Sequence, residues 1–318
     1  MMNENKPYIL VFGVSVYDIF GFTSNNYKGR DSNPGKVRVS HGGVCRNIAE
    51  NMARVGMNLK FISVVGDDEI GKSILQHAES MGIDMKDSLV VSGESTPTYM
   101  AIMNEDGEME SAIVDMSITD KISEEFIDSK KDIIVNSEYM VLGADNPTIM
   151  EYILTKYQGS TKFILDPVSS ARVQKIKHLI KYFYTIKPNR HEAEVLCGFK
   201  IESVEDVRKA GKCLLDYGVK NVFISLDAEG IYYNNGQEEG IIKPNQVPVV
   251  NVTGAGDSCV AGLGYGYMNR LSIVDMLKHA IAMSVITISH EETIHPKMNY
   301  DMVETYINNL EWTETKFR

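Results

Sequence analysis

Cysteine pairs are missing from this sequence. Its four cysteines, Cys45, Cys197, Cys213 and Cys259, lie far apart, and no Cys-x-x-Cys pair occurs. That spacing argues against a zinc site and against a disulfide framework. Because scattered free thiols fit a reducing compartment, we expect a cytoplasmic protein.

Basic residues are also in short supply. The chain has 32 lysines and arginines against 43 aspartates and glutamates, which gives a formal net charge of −11. Nucleic acids and anionic membranes attract proteins through clustered positive charge, so we expect no partner of either kind. Residues 1–7 are polar and lead directly into the apolar run Tyr8–Phe12, which predicts neither a signal peptide nor a membrane span. A bound nucleotide would have to be held locally, by backbone amides, a few cations and a divalent metal.

Short apolar runs alternate with longer helical stretches along the 318 residues. This alternation predicts one α/β domain spanning 1–318, with a central, mostly parallel sheet covered by helices on both faces. The candidate strands are Tyr8–Phe12, Leu59–Val65, Tyr139–Leu142, Lys162–Leu165, Thr185–Ile186 and Val222–Leu226. Ligands collect at the carboxyl ends of such strands, which is where Asp166, Lys187 and Ser225 fall.

Two stretches, at about 15–40 and 97–115, break the alternation because they are strand-like without a long helix between the strands. The second contains Thr98–Met103, the turn Asn104–Gly107 and Met109–Val114, a pattern typical of a β-hairpin. We expect the two stretches to pair as a small antiparallel β lid over the open end of the sheet. The exposed edges of such a lid predict a homodimer formed by strand pairing.

The most informative segment is Val250–Cys259, which reads Val-Asn-Val-Thr-Gly-Ala-Gly-Asp-Ser-Cys. Val247–Val252 predicts a strand or loop, and the small apolar residues 258–266 predict a buried helix. Glycines in the turn let successive N–H groups converge at the positive end of that helix, so the segment favours a phosphate site with Asp257 beside it. An ordinary strand-to-helix turn with Asp257 as the helix cap stays open for this segment alone. The segment is not a Walker loop, and Cys259 stands where a dinucleotide-binding fingerprint has its third glycine.

Taken together, these features resemble the PfkB, or ribokinase, family of carbohydrate and nucleoside kinases, from about Tyr8 to His290. The marks shared with the family at large are Gly13 with Asp18, Gly42-Gly43-x-x-x-Asn47, Gly66-Asp67-Asp68 with Gly71, Asn189-x-x-Glu192 and Thr253–Asp257. A further set is similar to the subgroup that acts on pseudouridine: Ser32–Gly35, Gly43–Asn51, Tyr99–Ile102 with Asp106-Gly107, Asp115-Met116 and Asp166–Ser169.

The resemblance implies a ribokinase-like fold and the ATP- and magnesium-dependent phosphorylation of the 5′-hydroxyl of pseudouridine. Another kinase of the family, acting on ribose, adenosine, cytidine or a sugar phosphate, is the nearest alternative. From a different class, the chain could be a nucleoside sensor that kept the fold without catalysis. The intact Gly-Ala-Gly-Asp sequence disfavours a sensor.

On the acceptor side, the resemblance implies that Asp18 accepts hydrogen bonds from ribose hydroxyls and that Asn47 supplies both a donor and an acceptor. Gly42 and Gly43 would let the sugar lie against the main chain. The readings that Asp18 is a solvated loop residue and that Asn47 only caps a helix stay open. The residues expected around the uracil base are Ser32, Asn33 and the segment Thr96–Thr98, with Thr98 as a direct contact.

On the nucleotide side, the resemblance implies that Asn189 and Glu192 organise Mg²⁺ near the phosphates, largely through water. Asn followed three residues later by Glu is also a common helix start, so both roles are open. Lys187 is either a cation beside the phosphates or a solvated lysine. Many members of the family carry Asp where Asn251 stands, and that acid helps bind a monovalent cation, so Asn251 leaves a potassium requirement open. The other residues expected beside ATP are Ser225, Asp227, Gly230 and Thr253.

The resemblance also implies how the transfer would proceed. Asp257 orients the acceptor hydroxyl and takes its proton as the new bond forms. The amides of Gly254, Ala255 and Gly256 stabilise charge on the transferring phosphoryl group, with magnesium bridging the polyphosphate. A closing lid would exclude water from the reaction.

Overall fold

A computed structural model of the protein describes residues 6–245 and 247–318. Most of the polar stretch for which the sequence predicts no signal peptide, residues 1–7, therefore lies outside the described residues. Within the described ranges, no helix combines the length and the apolar character needed to cross a membrane.

The strands of the described chain form three sheets. In chain order they are β1 (Ile9–Phe12), β2 (Val16–Thr23), β3 (Gly35–Gly42), β4 (Leu59–Ile62), β5 (Val64–Gly66), β6 (Leu89–Val91), β7 (Thr98–Met103), β8 (Met109–Asp115), β9 (Tyr139–Gly143), β10 (Lys162–Asp166), β11 (Thr185–Ile186), β12 (Asn221–Ser225), β13 (Ile231–Asn234), β14 (Glu239–Pro244) and β15 (Trp312–Lys316).

The α-helices connect these strands and cover the largest sheet. In chain order they are α1 (Val44–Arg54), α2 (Glu69–Ser80), α3 (Glu124–Ser129), α4 (Lys131–Val135), α5 (Pro147–Lys156), α6 (Ser170–Ile176), α7 (Arg190–Cys197), α8 (Val204–Asp216), α9 (Ala255–Met268), α10 (Ile273–Ile288) and α11 (Tyr300–Asn309). Helix α9 contains the predicted buried segment 258–266 and is apolar nearly throughout.

The main sheet has nine strands in the order β4-β1-β9-β10-β11-β12-β13-β14-β15. The strands from β4 to β12 run parallel, and the strands from β13 to β15 pair in antiparallel fashion. Side chains of β1 alternate between two hydrophobic clusters, Leu10 and Phe12 in one, Ile9 and Val11 in the other. Because successive side chains of a strand point to opposite faces, both faces of this sheet are covered. The predicted mostly parallel sheet is confirmed.

Two sequence predictions about strands need correction or completion. The predicted strand Leu59–Val65 is divided at Ser63, because β5 leaves the main sheet and pairs with β6. The backbone N–H of Ser63 donates to the side chain of Ser88 at 3.1 Å, where a continuous strand would use its neighbour in the sheet. The segment Val247–Val252 is a loop, and its proline at position 248 cannot donate to a sheet.

The two stretches predicted as a lid form a separate four-stranded sheet in the order β3-β2-β7-β8, which we call the lid sheet. Their pairing with each other is confirmed, but the lid sheet is mixed and not antiparallel, because β2 and β7 run parallel. Parallel neighbours need a long crossover, and here α1, β4, β5 and α2 supply it. Val39, Ile19, Met100 and Ile113 stand opposite one another across the four strands, forming an apolar row on one face.

Candidate active site

Several predicted site residues meet at the carboxyl edge of the main sheet. Asp166 ends β10, Lys187 directly follows β11, and Ser225 ends β12. The first turn of α9 and the first turns of α1 approach the same edge, since Asn47 of α1 contacts Asp257 of α9. This placement agrees with the rule that parallel sheets collect ligands where their strands end.

The amino end of α9 is held in place with several of its amides free. Gly254 precedes the helix with φ of 83°, and an added Cβ would collide with the carbonyl oxygen of Thr293, so glycine is required there. Ser284 of α10 donates to the carbonyl of Ala255 at 2.9 Å and fixes the first turn. Of the three amides predicted to face a phosphoryl group, that of Ala255 donates to the carbonyl of Val252 at 3.4 Å. Among the described residues, the N–H groups of Gly254, Gly256 and Asp257 have no acceptor. Such amides at the positive end of a helix suit an anion.

Asp257 is buried beside these amides, with 9% of its surface exposed. The side-chain amide of Asn47 donates to its Oδ2 at 2.7 Å. Burial raises the pKa of Asp257 to about 7, with Asp166 adding to the effect, while Asn47 and Lys187 oppose it. The alternative that Asp257 caps the helix is wrong, because its carboxylate accepts no N–H of the first turn.

Asn47 lies inside helix α1 and is buried. The residue that caps this helix is Gly43, so the reading of Asn47 as a helix cap is also wrong. Its Nδ2 faces Asp257, and its Oδ1 accepts a hydrogen bond from Arg46 at 3.0 Å. The two ends of one amide therefore have fixed and different partners.

Asp18 lies on strand β2 of the lid sheet, so it is not a solvated loop residue. Burial raises its pKa to about 6, and the charge of Arg46 acts against the rise. The neighbouring glycine has a role that sequence reasoning did not identify: a Cβ at Gly42 would collide with the Asp18 carboxylate. Gly42 thus lets the acid lie against the main chain, and contact between sugar and main chain stays a prediction.

Lys187 is buried, with 4% of its surface exposed, so the reading of a solvated lysine is wrong. Burial alone would lower its pKa, but the surrounding acids, Asp166 first, outweigh burial and raise the pKa. Its ammonium group lies close to Gly256, at the amino end of α9. The edge therefore holds a buried cation where a phosphate group would meet the amides.

Asn189 and Glu192 form a capping box at the start of α7. The N–H of Glu192 donates to Asn189 at 2.9 Å, and the N–H of Asn189 donates to Glu192 Oε2 at 2.8 Å. The capping role is confirmed, and one carboxylate oxygen of Glu192 remains outside the box. Burial raises the pKa of Glu192, with Asp166 adding to the rise. No cluster of three metal-binding side chains occurs among the described residues, and the role of this pair toward Mg²⁺ stays a prediction.

The loop after β12 lies next to this capping box. The N–H of Ser225 donates to the carbonyl of Pro188 at 3.0 Å. Asp227, with φ of 52°, and Gly230, with φ of 95°, shape a tight turn closed by a hydrogen bond from Leu226 to Gly230. Thr253 is exposed in front of α9. These positions surround the edge, and their contact with a nucleotide stays a prediction.

Of the residues predicted around a base, Thr98 begins strand β7 opposite Tyr17, the residue before Asp18. Ser32 is exposed in the loop between β2 and β3. Asn33 uses its amide within that loop, accepting from the N–H of Lys28 and donating to its carbonyl. Thr98 donates to the carbonyl of Thr96 at 3.0 Å. Base recognition by these residues therefore stays a prediction.

One segment that satisfies a phosphate-loop pattern has a structural role. Gly66, Gly71, Lys72 and Ser73 have the Walker spacing, which sequence reasoning overlooked. The carboxylate of Asp68 occupies the space that a phosphate would take in such a loop. It accepts hydrogen bonds from the N–H of Gly71 at 2.7 Å and from the N–H of Thr96 at 2.9 Å. The ammonium of Lys72 pairs with Glu69 at the surface. This segment ties the start of β7 to helix α2.

The sequence placed Asp166 at this edge without a chemical role, and it pointed to neither Asp145 nor Arg172, two further charged residues there. Asp166 interacts electrostatically with Asp257 and Lys187, and Asp145 forms an ion pair with Arg172. Asp145 lies two residues after strand β9, so the strand-end rule that selected Lys187 and Asp166 could have found it as well. Arg172 has no comparable signal in the sequence.

Known proteins of one family are similar to this chain along nearly its whole length. The family model for pfkB family carbohydrate kinases matches residues 6–299. Pseudouridine kinase of Escherichia coli K12 is 32% identical over 310 residues, covering 97% of this chain and 99% of that protein. The crystal structure of a candidate sugar kinase from Clostridium perfringens is 56% identical, with a TM-score of 0.93 over 98% of this chain and 99% of that one.

The structure of Arabidopsis thaliana ribokinase, solved with ribose and ATP, has a TM-score of 0.83 at 21% identity over 95% of this chain and 98% of that one. At that identity the likeness establishes the fold alone, and it confirms the predicted ribokinase-like architecture. With a family match over nearly the whole chain, the protein belongs to the PfkB family of carbohydrate kinases, which are phosphotransferases.

Proposed function

We propose that this protein transfers the γ-phosphoryl group of ATP to the 5′-hydroxyl of pseudouridine. The observation that carries a transfer to an alcohol is the buried carboxylate of Asp257, held by Asn47 beside the free amides of α9. The 32% identity to a pseudouridine kinase along nearly the whole of both chains supports the choice of acceptor.

Asp257 is the proposed proton acceptor. As the 5′-oxygen bonds to the γ-phosphorus, the bond from that phosphorus to the ADP oxygen breaks, and the hydroxyl proton passes to the carboxylate. A pKa of about 7 leaves this group partly ionised at neutral pH. Because the transition state of such transfers is loose, the carboxylate acts mainly by orienting the hydroxyl, and its basicity contributes late.

The anion site receives the transferring phosphoryl group. The N–H groups of Gly256 and Asp257 donate to its oxygens, and the buried ammonium of Lys187 adds positive charge from the sheet side. Mg²⁺, when bound, neutralises charge on the polyphosphate. Glu192 suits it, because one of its oxygens is outside the capping box and its carboxylate faces the same edge.

On the acceptor side, Asp18 would accept hydrogen bonds from ribose hydroxyls, since one carboxylate can take two donors from neighbouring hydroxyl groups. A phosphorylated sugar would need a free cation instead. Arg46 cannot serve, because its two terminal nitrogens already contact His41, Asn47, Glu50 and His77. The occupied Arg46 supports an uncharged acceptor such as a nucleoside, although the exposed Arg30 and Arg38 are two further cations of the β2–β3 region.

We also propose that two copies associate through their lid sheets in the cytoplasm. The apolar row on the lid sheet supports this, since Val39, Met100 and Ile113 are 55%, 45% and 70% exposed. Contiguous exposed apolar surface is typical of interaction sites. Light scattering of the wild type and of Ile113→Asp tests the dimer, which the substitution should dissociate. The free state of the four cysteines supports the compartment.

The test of the activity is incubation with magnesium-ATP and an equimolar panel of pseudouridine, uridine, cytidine, adenosine and ribose, followed by mass identification of the product. We expect pseudouridine 5′-phosphate, with Asp257→Asn as the inactive control. Phosphorylation of another member of the panel in preference to pseudouridine would show that the proposed acceptor is wrong. Tight binding of pseudouridine without ADP release in a single turnover would indicate a sensor.

A further inference from the structure

Arg46 lies next to Asn47 on α1, and its charged group is largely buried. We propose that Arg46 is a positioning residue for phosphoryl transfer, because it fixes the side-chain amide of Asn47 so that the N–H₂ end faces Asp257. This inference rests on the proposed function, in which Asp257 is the proton acceptor. Arg46 itself would touch neither ATP nor the nucleoside.

The side-chain amide of an asparagine is close to symmetric. Its oxygen and nitrogen have nearly the same shape, so the amide can turn over unless its neighbours distinguish the two ends. Here Arg46 donates to Oδ1 of Asn47 at 3.0 Å, and Nδ2 donates to Asp257 at 2.7 Å. If the amide turned, its oxygen would face the carboxylate and a buried hydrogen bond would become a repulsion.

Arg46 is itself held by several partners. Nη1 also donates to the backbone carbonyl of His41 at 2.7 Å, and Nη2 pairs with Glu50. Nε2 of His77 lies 3.1 Å from both Nη2 of Arg46 and Oε2 of Glu50. Arg54 binds the second oxygen of Glu50 at 2.7 Å. The planar guanidinium therefore cannot rotate without breaking several hydrogen bonds at once.

These contacts connect the lid sheet to the proton acceptor. His41 is near the end of β3, next to the glycine that lies against Asp18. The same guanidinium thus contacts the lid backbone on one side and the amide that holds Asp257 on the other. A change in its position would alter both sides of the acceptor pocket together.

Arg46 also affects the charge state of Asp257. The titratable groups that face Asp257 come from three other elements: Asp166 on β10, Lys187 after β11, and Cys45 with Arg46 on α1. Burial and Asp166 raise the pKa of Asp257, whereas Lys187 and Arg46 lower it. Removal of the positive charge of Arg46 therefore shifts this pKa to still higher values, and activity at neutral pH falls.

The variants that test this role are Arg46→Gln and Arg46→Lys, with Arg54→Gln as the matched control. Arg54 binds the same Glu50 but does not contact Asn47. For Arg46→Gln we expect kcat to fall about tenfold to a hundredfold, and the acidic limb of the pH profile of kcat/KM to move to higher pH. Arg46→Lys keeps the positive charge but loses the planar guanidinium that donates to several acceptors at once. We therefore expect kcat to fall while the acidic limb of the pH profile stays at the same pH.

For Arg54→Gln we expect kcat within about twofold of the wild type and an unmoved limb. Equal profiles for Arg46→Gln and the wild type would overturn the proposal, as would equal losses in Arg46→Gln and Arg54→Gln. If Arg46→Gln does not fold, wild-type kcat in Arg46→Lys would overturn it.

A measurement without substrate separates this proposal from the proposed function. The stability difference between a protein and its Asp257→Asn derivative changes with pH between the unfolded and the folded pKa of Asp257, so its midpoint moves up when the folded pKa rises. We expect the midpoint of that change to lie at higher pH in the Arg46→Gln background than in the wild type. An unchanged midpoint would overturn the inference even if pseudouridine is the substrate, and a raised midpoint would support it even if another acceptor is used.

Discussion

Replacement of Asp257 by asparagine should stabilise the free protein at alkaline pH while abolishing most of its activity. In the folded state the pKa of Asp257 is about 7, compared with an ordinary value of 3.8. The folded state therefore binds the proton more tightly than the unfolded state does. Below the ordinary pKa both states are protonated and folding carries no penalty, whereas above about pH 7 both are ionised and the penalty is complete.

The size of the penalty follows from the two pKa values. Each unit of pKa difference corresponds to about 1.4 kcal/mol, so ionised Asp257 disfavours folding by about 4 kcal/mol at about pH 8.5 and by less than half of that at about pH 5. For a chain of this length, unfolding entropy converts 1 kcal/mol into about 1.5 °C of Tm. Asp257→Asn should therefore raise Tm by about 6 °C at about pH 8.5 and by about 2 °C at about pH 5.

The assay is differential scanning calorimetry without nucleotide across this pH range, together with steady-state kinetics. We expect kcat of Asp257→Asn to fall about a hundredfold, with a much smaller change in KM. Asp216→Asn, at an exposed position at the end of α8, is the control and should show neither effect. A Tm gain that does not grow with pH would refute the assignment of a destabilising buried charge, and near-native kcat would refute the role as proton acceptor.

Two further predictions concern the segment around α9. Gly254→Ala should lose about 1–3 kcal/mol of stability and most activity, because its φ of 83° and the nearby carbonyl of Thr293 exclude a side chain. The control is Gly198→Ala, because Gly198 has a similar φ of 78° but open space around it. Thermal melting of the two variants separates the effect of backbone conformation from the effect of the collision. The amide of Asn251 donates to the carbonyl of Glu291 at 2.9 Å, so wild-type activity should not depend on potassium. Asn251→Asp would place a carboxylate against that carbonyl, and potassium titration of its activity should then show activation; a potassium requirement in the wild type would contradict this reasoning.

The parts of the site that sequence reasoning located share a local signal. Lys187 and Asp166 come directly after apolar runs, and Asp257 follows a glycine-rich turn into an apolar helix. The spacing of apolar residues and the turn residues that follow them are therefore enough to predict that all three lie at the carboxyl edge of the sheet. The six parallel strands of the main sheet were predictable for the same reason, whereas the antiparallel strands β13, β14 and β15 were not predicted. The ambiguity left by the sequence was local too, since Asn189 and Glu192 fit a capping box as well as a metal site, and the structure shows the box.

The parts that sequence reasoning missed depend on contacts between distant segments. Asn47 and Asp257 are separated by 210 positions, so the local sequence around either residue does not predict their hydrogen bond. Arg46 belongs to an amphipathic helix, where an arginine is usually solvated, and only the packed fold shows that it is enclosed. The collision that a side chain at Gly42 would have with Asp18 likewise depends on the pairing of β2 with β3.

The parallel pairing of β2 with β7 has a consequence for how the protein is assembled. Tyr17 of β2 lies opposite Thr98 of β7, so the lid sheet cannot arise from one local hairpin and must wait until the segment between them has folded against the body. The hydrogen bonds from Thr96 to Asp68 attach the beginning of β7 to that segment. Residues 15–42 and 97–115, expressed without the intervening chain, should remain unstructured in solution. Hydrogen exchange of the β2 and β7 amides therefore reports whether α1 and α2 are packed correctly. A substitution that disrupts either helix should first increase the exchange of these amides, which lie beside the acceptor pocket.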